Sequence, residues 1–420
     1  MLFSFVAEAF RRFTCGNGRL VQTLWILGCF PKRSQNGPSE EAYRKACAKV
    51  PLKWIAEAGK QSHQHARSNK DKLYEGMRIV LVDGTKIIVP RTDETIKTYG
   101  LGSGSTGNAY YPQIHAGGFF DLTTGTFADF NFDHGDPAER QVMLEHATLN
   151  QESTLYVSDA GYNGMAHVYL MRETGHHLLM ELKMGTLAEQ FRKTRKRSAI
   201  IEITLRRSHL KNYPKNLIGS TFKIRLIRTK GTTKLRSKVL LTTLLDEKRF
   251  KWLDIAKLYL QRWRIELAFR HLKMTIAIEH IRKSKLHRIR QLLWGAIILY
   301  NLSATIRNKL KCPTLFPDKE KVKIYCFEFI IQLSELFFLA ATGVVTRCKE
   351  EIRRRLRAMR NCWFLYAPWR VRPKICQFPA STFTRCKSTE RKAEFEKSNA
   401  IQNDMKILGI QYGQIEPINP

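Results

Sequence analysis

The stretch RIVLVDGTKIIV, residues 78–89, is β-branched and apolar on both sides of a central Asp83. That pattern is a buried strand. An ionised carboxylate inside such a strand is costly unless a cation or hydrogen-bond donors meet it. Downstream, YPQIHAGGFFDLTTGTFADFNFD carries Thr-Thr-Gly at 123–125, a turn between two strand-like runs. Residues 137–149 read as a helix, with Asp136 as N-cap and Pro137 at its first position. STLYVSDAGY, residues 153–162, is a further strand ending at Asp159. Strand, hairpin, helix, strand is an α/β layout. Open α/β sheets present functional groups at strand ends, and a strand-end Asp is equally an ordinary cap of the next turn.

Around this centre the chain changes character several times. Residues 1–75 look helical and irregular, with a loop at Pro31–Ser39 and a predicted helix over 40–58 that starts from Ser39, Glu40 and Glu41. Gly100 to Asn108 reads as a Gly/Ser-rich loop. Its run GLGSGSTG lacks the Gly-Lys-Ser/Thr ending of a phosphate loop, so a mobile loop near the active site is expected. Between 176 and 245 strand-like runs recur at HHLLMELKM, AIIEITL, FKIRLIRT and KVLLTTLL, separated by basic turns. A helical period runs from 251 to about 273, a second long helix over 286–310, and an Arg-rich run EEIRRRLRAMR marks the tail. No internal repeat is present. The predicted organisation is a helical region 1–75, an α/β core of 76–165 and 246–310, a basic β-strand insertion 166–245, and a basic helical region 311–420.

Composition narrows the function classes. Lys and Arg number 71 against 37 Asp and Glu, a net charge of +34. With 43% hydrophobic residues the chain can bury a core, so it is not a disordered basic tail. Such a protein expects a polyanion, with nucleic acid before an anionic membrane surface. The charge is uneven: residues 183–250 hold 19 Lys/Arg and 4 Asp/Glu. Nine cysteines, none between Cys47 and Cys312 and no C-x-x-C pair, argue against a zinc ribbon or a secreted disulfide scaffold. The start, MLFSFVAEAFRR, makes a poor signal peptide. The apolar stretch Phe327 to Val345 is interrupted by Glu328, Gln332 and Glu335, so it reads as a buried helix rather than a membrane span. No membrane partner and a cytoplasmic, nucleoid-associated location are expected.

The segment KLYLQRWRIELAFRHLK, 257–273, is the most informative chemically. On a continuous helix at about 100° per residue, Tyr259, Arg262, Glu266 and Lys273 share an arc of roughly 60°. An acidic residue flanked by cations and a phenol suits a phosphodiester site, the carboxylate holding a metal and the others phosphates. The same face is also what a solvated, salt-bridged helix looks like.

The spacing Tyr-x2-Arg-x3-Glu-x6-Lys resembles the signature of the insertion-sequence-four family of DDE transposases, matched by Tyr259, Arg262, Glu266 and Lys273. VDGT with Asp83 resembles the family's first-aspartate strand, and the strand-end Asp159 the second. The resemblance covers about 78–310. It implies a ribonuclease-H-like mixed-sheet core interrupted by a β-rich insertion. It also implies two Mg²⁺ ions, with Mn²⁺ as a substitute, held by Asp83, Asp159 and Glu266. Two such ions about 4 Å apart activate an attacking hydroxyl and stabilise the leaving oxygen. Tyr259, Arg262 and Lys273 would contact DNA phosphates. The implied partner is double-stranded DNA, both inverted-repeat ends and target, gripped by a homodimer. The sequence departs in two places. The second Asp stands in the run SDAGYNG, where the family often has Arg or Glu after it. A base-stacking Trp is also absent between 165 and 250, with Tyr213 or Phe222 as possible substitutes.

Weaker candidates remain beside these. His63 with His65, and His176 with His177, could bind metal, and ordinary polar contacts are the simpler reading. Asp133, Asp136 and Glu139 are mostly helix-start residues that could approach the metals. The basic residues of the insertion (Arg192 to Arg197, Arg206, Arg207, Arg225, Arg228) read as DNA contacts or as a solvated face. Two alternatives to a transposase stay open: a catalytically silent DNA-binding derivative, and a ribonuclease-H-like nuclease.

Overall fold

The computed structural model describes residues 40–68, 73–104, 107–132, 139–182, 185–194, 196–229, 238–276 and 285–309, with isolated residues at 278 and between 322 and 365. The tail run 353–360 is described only in part. The chain start, Asp136, Pro137 and the stretch Phe327 to Val345 lie outside the described residues. In chain order the elements are helices α1 (Glu40–Ala48) and α2 (Leu52–Gln64), strand β1 (Arg78–Ile88), helix α3 (Asp93–Tyr99), and strands β2 (Leu101–Gly104), β3 (Gly107–Asp121) and β4 (Thr126–Asn131). Helix α4 (Glu139–Leu149), strand β5 (Thr154–Ser158), helix α5 (Met165–Glu173), strand β6 (His177–Glu181) and helix α6 (Thr186–Lys193) follow. Strands β7 (Ser198–Thr204), β8 (Thr221–Arg228) and β9 (Val239–Thr242) lead into helices α7 (Trp252–Leu260), α8 (Trp263–Arg270) and α9 (Leu286–Lys309).

Contacts divide the chain into two units. The first holds residues 1–157 and 262–364, the second 158–261 and 365–420. In the first unit β1 is central. It pairs antiparallel with β3 from Val80↔Asp121 to Ile88↔Gln113, and parallel with β5 from Arg78↔Thr154 to Leu81↔Val157. β4 joins the far edge of β3 through the turn predicted at 123–125. Ile79, Val80, Leu81 and Val82 are buried, as expected where a strand has neighbours on both sides and cover on both faces. Burial relaxes from Asp83 onward, just past the last parallel pair. The carboxylate stands just past the fully buried stretch, with its side chain still only 18% exposed.

Aromatic packing sets the helices on this sheet. Phe127 of β4 stacks on Phe269 of α8 at 5.8 Å between centroids and meets Tyr300 of α9 at 5.1 Å. Buried Asn301 accepts from the Phe127 amide at 2.8 Å and donates to the Phe127 carbonyl at 2.9 Å and to Ser62 Oγ at 3.0 Å. One amide thus joins α9, β4 and α2 with its polar atoms satisfied. Gly118, opposite Asp83 in the register, is where α8 comes closest: a Cβ there would lie 2.9 Å from Phe269 Cε1.

The second unit contains the antiparallel order β6-β9-β8-β7, the four strand-like runs read from the sequence. Helices α5 and α6 accompany them. Among the described residues no helix is long and apolar enough to cross a membrane.

Three sequence expectations need correction. The helix predicted over 40–58 is two helices, because Pro51 has no amide proton to continue α1 and instead stands before α2. The predicted loop at 100–108 is instead the β2–β3 hairpin, paired at Ser103↔Asn108 and Gly104↔Gly107. The helix expected through 251–273 is interrupted between α7 and α8, where the Gln261 amide bonds back to Leu258, and it ends in a π turn at His271–Thr275. Tyr259 and Arg262 therefore do not belong to one regular helix.

Candidate active site

Three of the residues singled out in the sequence meet in the first unit. Asp83 comes from β1, and Arg262 and Glu266 from one turn at the start of α8. Arg262 Nη1 donates to Asp83 Oδ2 at 3.2 Å, and Nη2 donates to Glu266 Oε1 at 2.8 Å. The guanidinium thus spans both carboxylates. Its side chain is 11% exposed, against 18% for Asp83 and 33% for Glu266. At this depth an ion pair is screened less than at the surface, and the planar fork of Arg suits two acceptors at once. Asp83 Oδ1 also accepts from the Gly84 amide at 2.9 Å.

The local sequence explains the approach. Ile265, Ala268 and Phe269 face the core from α8. Phe269 sits over the side-chain-free Gly118, which leaves the ring no Cβ to clear. Glu266, one helical turn before Arg270 and one after Arg262, is thereby directed toward β1. Lys273 continues the same side: from the π turn its Nζ donates to the Lys86 carbonyl at 2.5 Å, three residues beyond Asp83 on β1.

Glu139, which the sequence places only among helix-start acids, also reaches this strand. Its Oε1 occupies the space that a Cβ on Gly84 would need, so a side chain there would push the Glu139 carboxylate aside. The glycine of VDGT is the one sequence signal for this approach. Asp133 and Asp136 lie outside the described residues.

Asp159 and Tyr259 belong to the second unit. Asp159 directly follows β5 and caps the next turn, accepting from the Gly161 amide at 2.8 Å. Tyr259 is buried, and its hydroxyl donates to Glu181 Oε2 at 3.3 Å. The same Glu181 oxygen takes Lys238 Nζ at 2.6 Å, and Lys238 lies 5.9 Å from the Tyr259 ring centre. No sequence spacing points to Glu181 and Lys238, because the contact crosses separate strands.

Several basic residues of the insertion have structural partners. Arg225 is 1% exposed; it donates to Ser198 Oγ at 2.8 Å and to the Phe250 carbonyl at 2.6 Å, and pairs with Glu247 at 3.2 Å. Arg228 donates to the Arg192 carbonyl at 3.0 Å. Buried Arg225 ties neighbouring strands and the Phe250 carbonyl together, which corrects its reading as a DNA contact. Arg206 and Arg207 are exposed. Phe222 is buried against Tyr169 at 5.6 Å, so it cannot offer its face to a base, and that substitution reading is also corrected.

The histidines make ordinary polar contacts. His63 Nδ1 meets Thr126 Oγ1 at 2.8 Å, His65 Nδ1 the Gln61 carbonyl at 2.8 Å, and His177 Nδ1 Thr243 Oγ1 at 3.4 Å. Burial lowers the pKa of His63 and of His177. Elsewhere on the helix that carries Glu266 and in the turn after it, burial pushes Arg264 down to about 10 and His271 down to about 4, with the Arg307 charge adding to both.

Asp83 and Glu266 offer hard carboxylate oxygens beside β1, past its last parallel pair with β5, and already face a positive charge. That donor chemistry fits a divalent cation of the Mg²⁺ kind. Among the described residues no group of three His, Cys, Asp or Glu side chains forms a ready-made metal cage.

The first unit is thus a mixed α/β core whose central strand delivers an aspartate to a helix-borne Arg and Glu. The family model described as "Transposase DDE domain" matches residues 74–302, more than half of the chain. The chain belongs to this family, which carries a ribonuclease-H-like fold, and the insertion-sequence-four resemblance holds. It is similar to Transposase InsG for insertion sequence element IS4 of Escherichia coli (strain K12). Identity is 26% over 233 residues, covering 54% of this chain and 51% of that protein. It is also similar to the transposase for insertion sequence element IS231F of Bacillus thuringiensis subsp. israelensis. Identity there is 24% over 306 residues, covering 62% and 63%. The chain spans about half of the first relative and less than two thirds of the second.

Proposed function

We propose that this chain is an active DNA transposase. It cuts at the inverted-repeat ends of an insertion sequence and joins the freed ends to target DNA. In the first step a water oxygen attacks phosphorus, the P–O3′ bond breaks, and a 3′-hydroxyl leaves with the proton. In the second step that 3′-hydroxyl oxygen attacks a target phosphorus, the target P–O3′ bond breaks as the new P–O bond forms, and the displaced target 3′-hydroxyl leaves with the proton. The observation that carries this reading is the meeting of Asp83, Arg262 and Glu266 in a chain of the DDE transposase domain family.

Asp83, Asp159 and Glu266 are assigned as ligands of two Mg²⁺ ions, with Mn²⁺ as a substitute. Bound there, the cations would activate the attacking hydroxyl and stabilise charge on the leaving oxygen. Arg262, Lys273 and Tyr259 are assigned to DNA phosphates. Of these, Lys273 now donates to the Lys86 carbonyl of β1, and Tyr259 must leave Glu181 to reach a phosphate. The partner is double-stranded DNA, ends and target alike, held by a homodimer in the cytoplasm at the nucleoid. Mg²⁺-dependent cleavage of DNA that contains the element's ends tests the reading. Glu266→Ala is expected to abolish cleavage while DNA binding persists, and full activity in that variant would refute the assignment.

A further inference from the structure

We propose that Arg262 is an internal counter-cation: it holds Asp83 and Glu266 until a DNA phosphate draws it away, so that DNA binding and metal binding strengthen each other. The inference rests on the metal-site reading above and extends it to how the site is loaded.

The geometry sets up a competition. Arg262 donates to Asp83 Oδ2 and Glu266 Oε1, which are the oxygens a divalent cation would take. A cation on those oxygens would sit next to a guanidinium that is itself only 11% exposed, and like charges repel strongly where solvent screens little. Removing Arg262 without replacement is also unfavourable, because it leaves two partly buried carboxylates facing each other. The occupied states are therefore Arg262 in or cation in.

The third participant is phosphate. Both terminal nitrogens of Arg262 are engaged by carboxylates, so the bidentate grip that Arg gives a phosphate requires release from them. Trp263 is 55% exposed, and its ring centre lies 5.4 Å from the Arg262 guanidinium carbon. The outward path therefore runs over an aromatic face that can carry a cation. DNA and the metal both favour the state with Arg262 out. Two ligands that favour one state raise each other's affinity by the same factor. The carboxylates would then be charged with metal mainly when a strand is in place.

The test is Mn²⁺ binding to the whole chain, read by the electron-spin-resonance signal of free Mn²⁺, with and without a DNA duplex. The parent protein is expected to bind Mn²⁺ roughly tenfold tighter when DNA is present, within the usual range of coupling between two sites. Arg262→Gln is expected to bind Mn²⁺ tighter than the parent without DNA and to lose most of the DNA effect. Arg262→Lys, whose single point charge cannot span both carboxylates, is expected to shift the same way by less, and it serves if the Gln variant fails to fold. Asp83→Asn separates the two layers. If it binds Mn²⁺ as the parent does, the metal-site reading fails and the exchange with it. If it loses binding while the folded Arg262 variants bind no tighter than the parent, or keep the full DNA effect, the exchange alone is overturned.

Discussion

In the sequence, Arg262 of the first unit and Arg225 of the second unit resemble each other: each lies in a basic stretch and each reads as a DNA contact. Their surroundings differ. Arg225 is almost completely buried, with a carbonyl, a hydroxyl and a carboxylate arranged around it and strands on either side. Arg262 bridges two carboxylates, both of which have a competing use in the proposed chemistry. A buried cation whose partners have no other role is architecture, whereas one whose partners are wanted by other ligands can be exchanged. The charge count of the basic insertion cannot tell these apart, so it overstates the cations available to DNA.

The largest effect should come from the exchangeable region. Asp83→Asn is expected to lower end cleavage by about 10³-fold or more, because it removes a proposed metal ligand. Thermal stability should change little, and a cleavage assay beside a melting curve separates the two outcomes. The fixed region should show the opposite. Arg225→Ala is expected to cost about 3 kcal/mol in urea unfolding, since it leaves the Phe250 carbonyl and Ser198 without their donor. If its DNA affinity falls with no loss of stability, the contrast between the two arginines breaks.

Gly118→Ala probes the link between sheet and site. The added methyl group would meet Phe269 and Phe127, so a destabilisation of about 2 kcal/mol is expected, with cleavage reduced as α8 shifts Glu266 from Asp83. Acid titration probes the same helix from its far end. Folded His271 takes its proton near pH 4, while the unfolded chain takes it near 6.5. The unfolded chain therefore binds more protons between those values, and stability is lost as pH falls through that window. A loss on the order of 2 kcal/mol is expected, smaller in His271→Gln. Last, Arg206→Ala with Arg207→Ala should leave stability within about 0.5 kcal/mol. The slope of log affinity against log salt should flatten by about one for each phosphate that these side chains no longer neutralise. An unchanged slope would place these exposed arginines outside the DNA path.

Much of this architecture is legible along the chain. The apolar run around Asp83, the Thr-Thr-Gly turn and the four basic strands each carry their own periodicity, which depends on neighbours close in sequence. The short spacing of Arg262 and Glu266 puts both on one helical turn, and the two side chains do bond to each other. Periodicity fails where a backbone constraint overrides it, at Pro51 and at Gln261, and where a Gly/Ser run conceals a hairpin at 100–108.

What the sequence by itself determined is the alphabet of the site: which strand holds an aspartate, which helix holds Arg and Glu, and where the charge lies. Only the tertiary structure decided the pairings. Arg262 reaches Asp83 across 179 positions, Tyr259 finds Glu181 across 78, and Glu139 settles over Gly84. Such contacts follow from how sheets and helices pack, since burial and charge compensation are settled between residues distant in sequence. The same physics made one arginine a fixed strut and left the other able to let go.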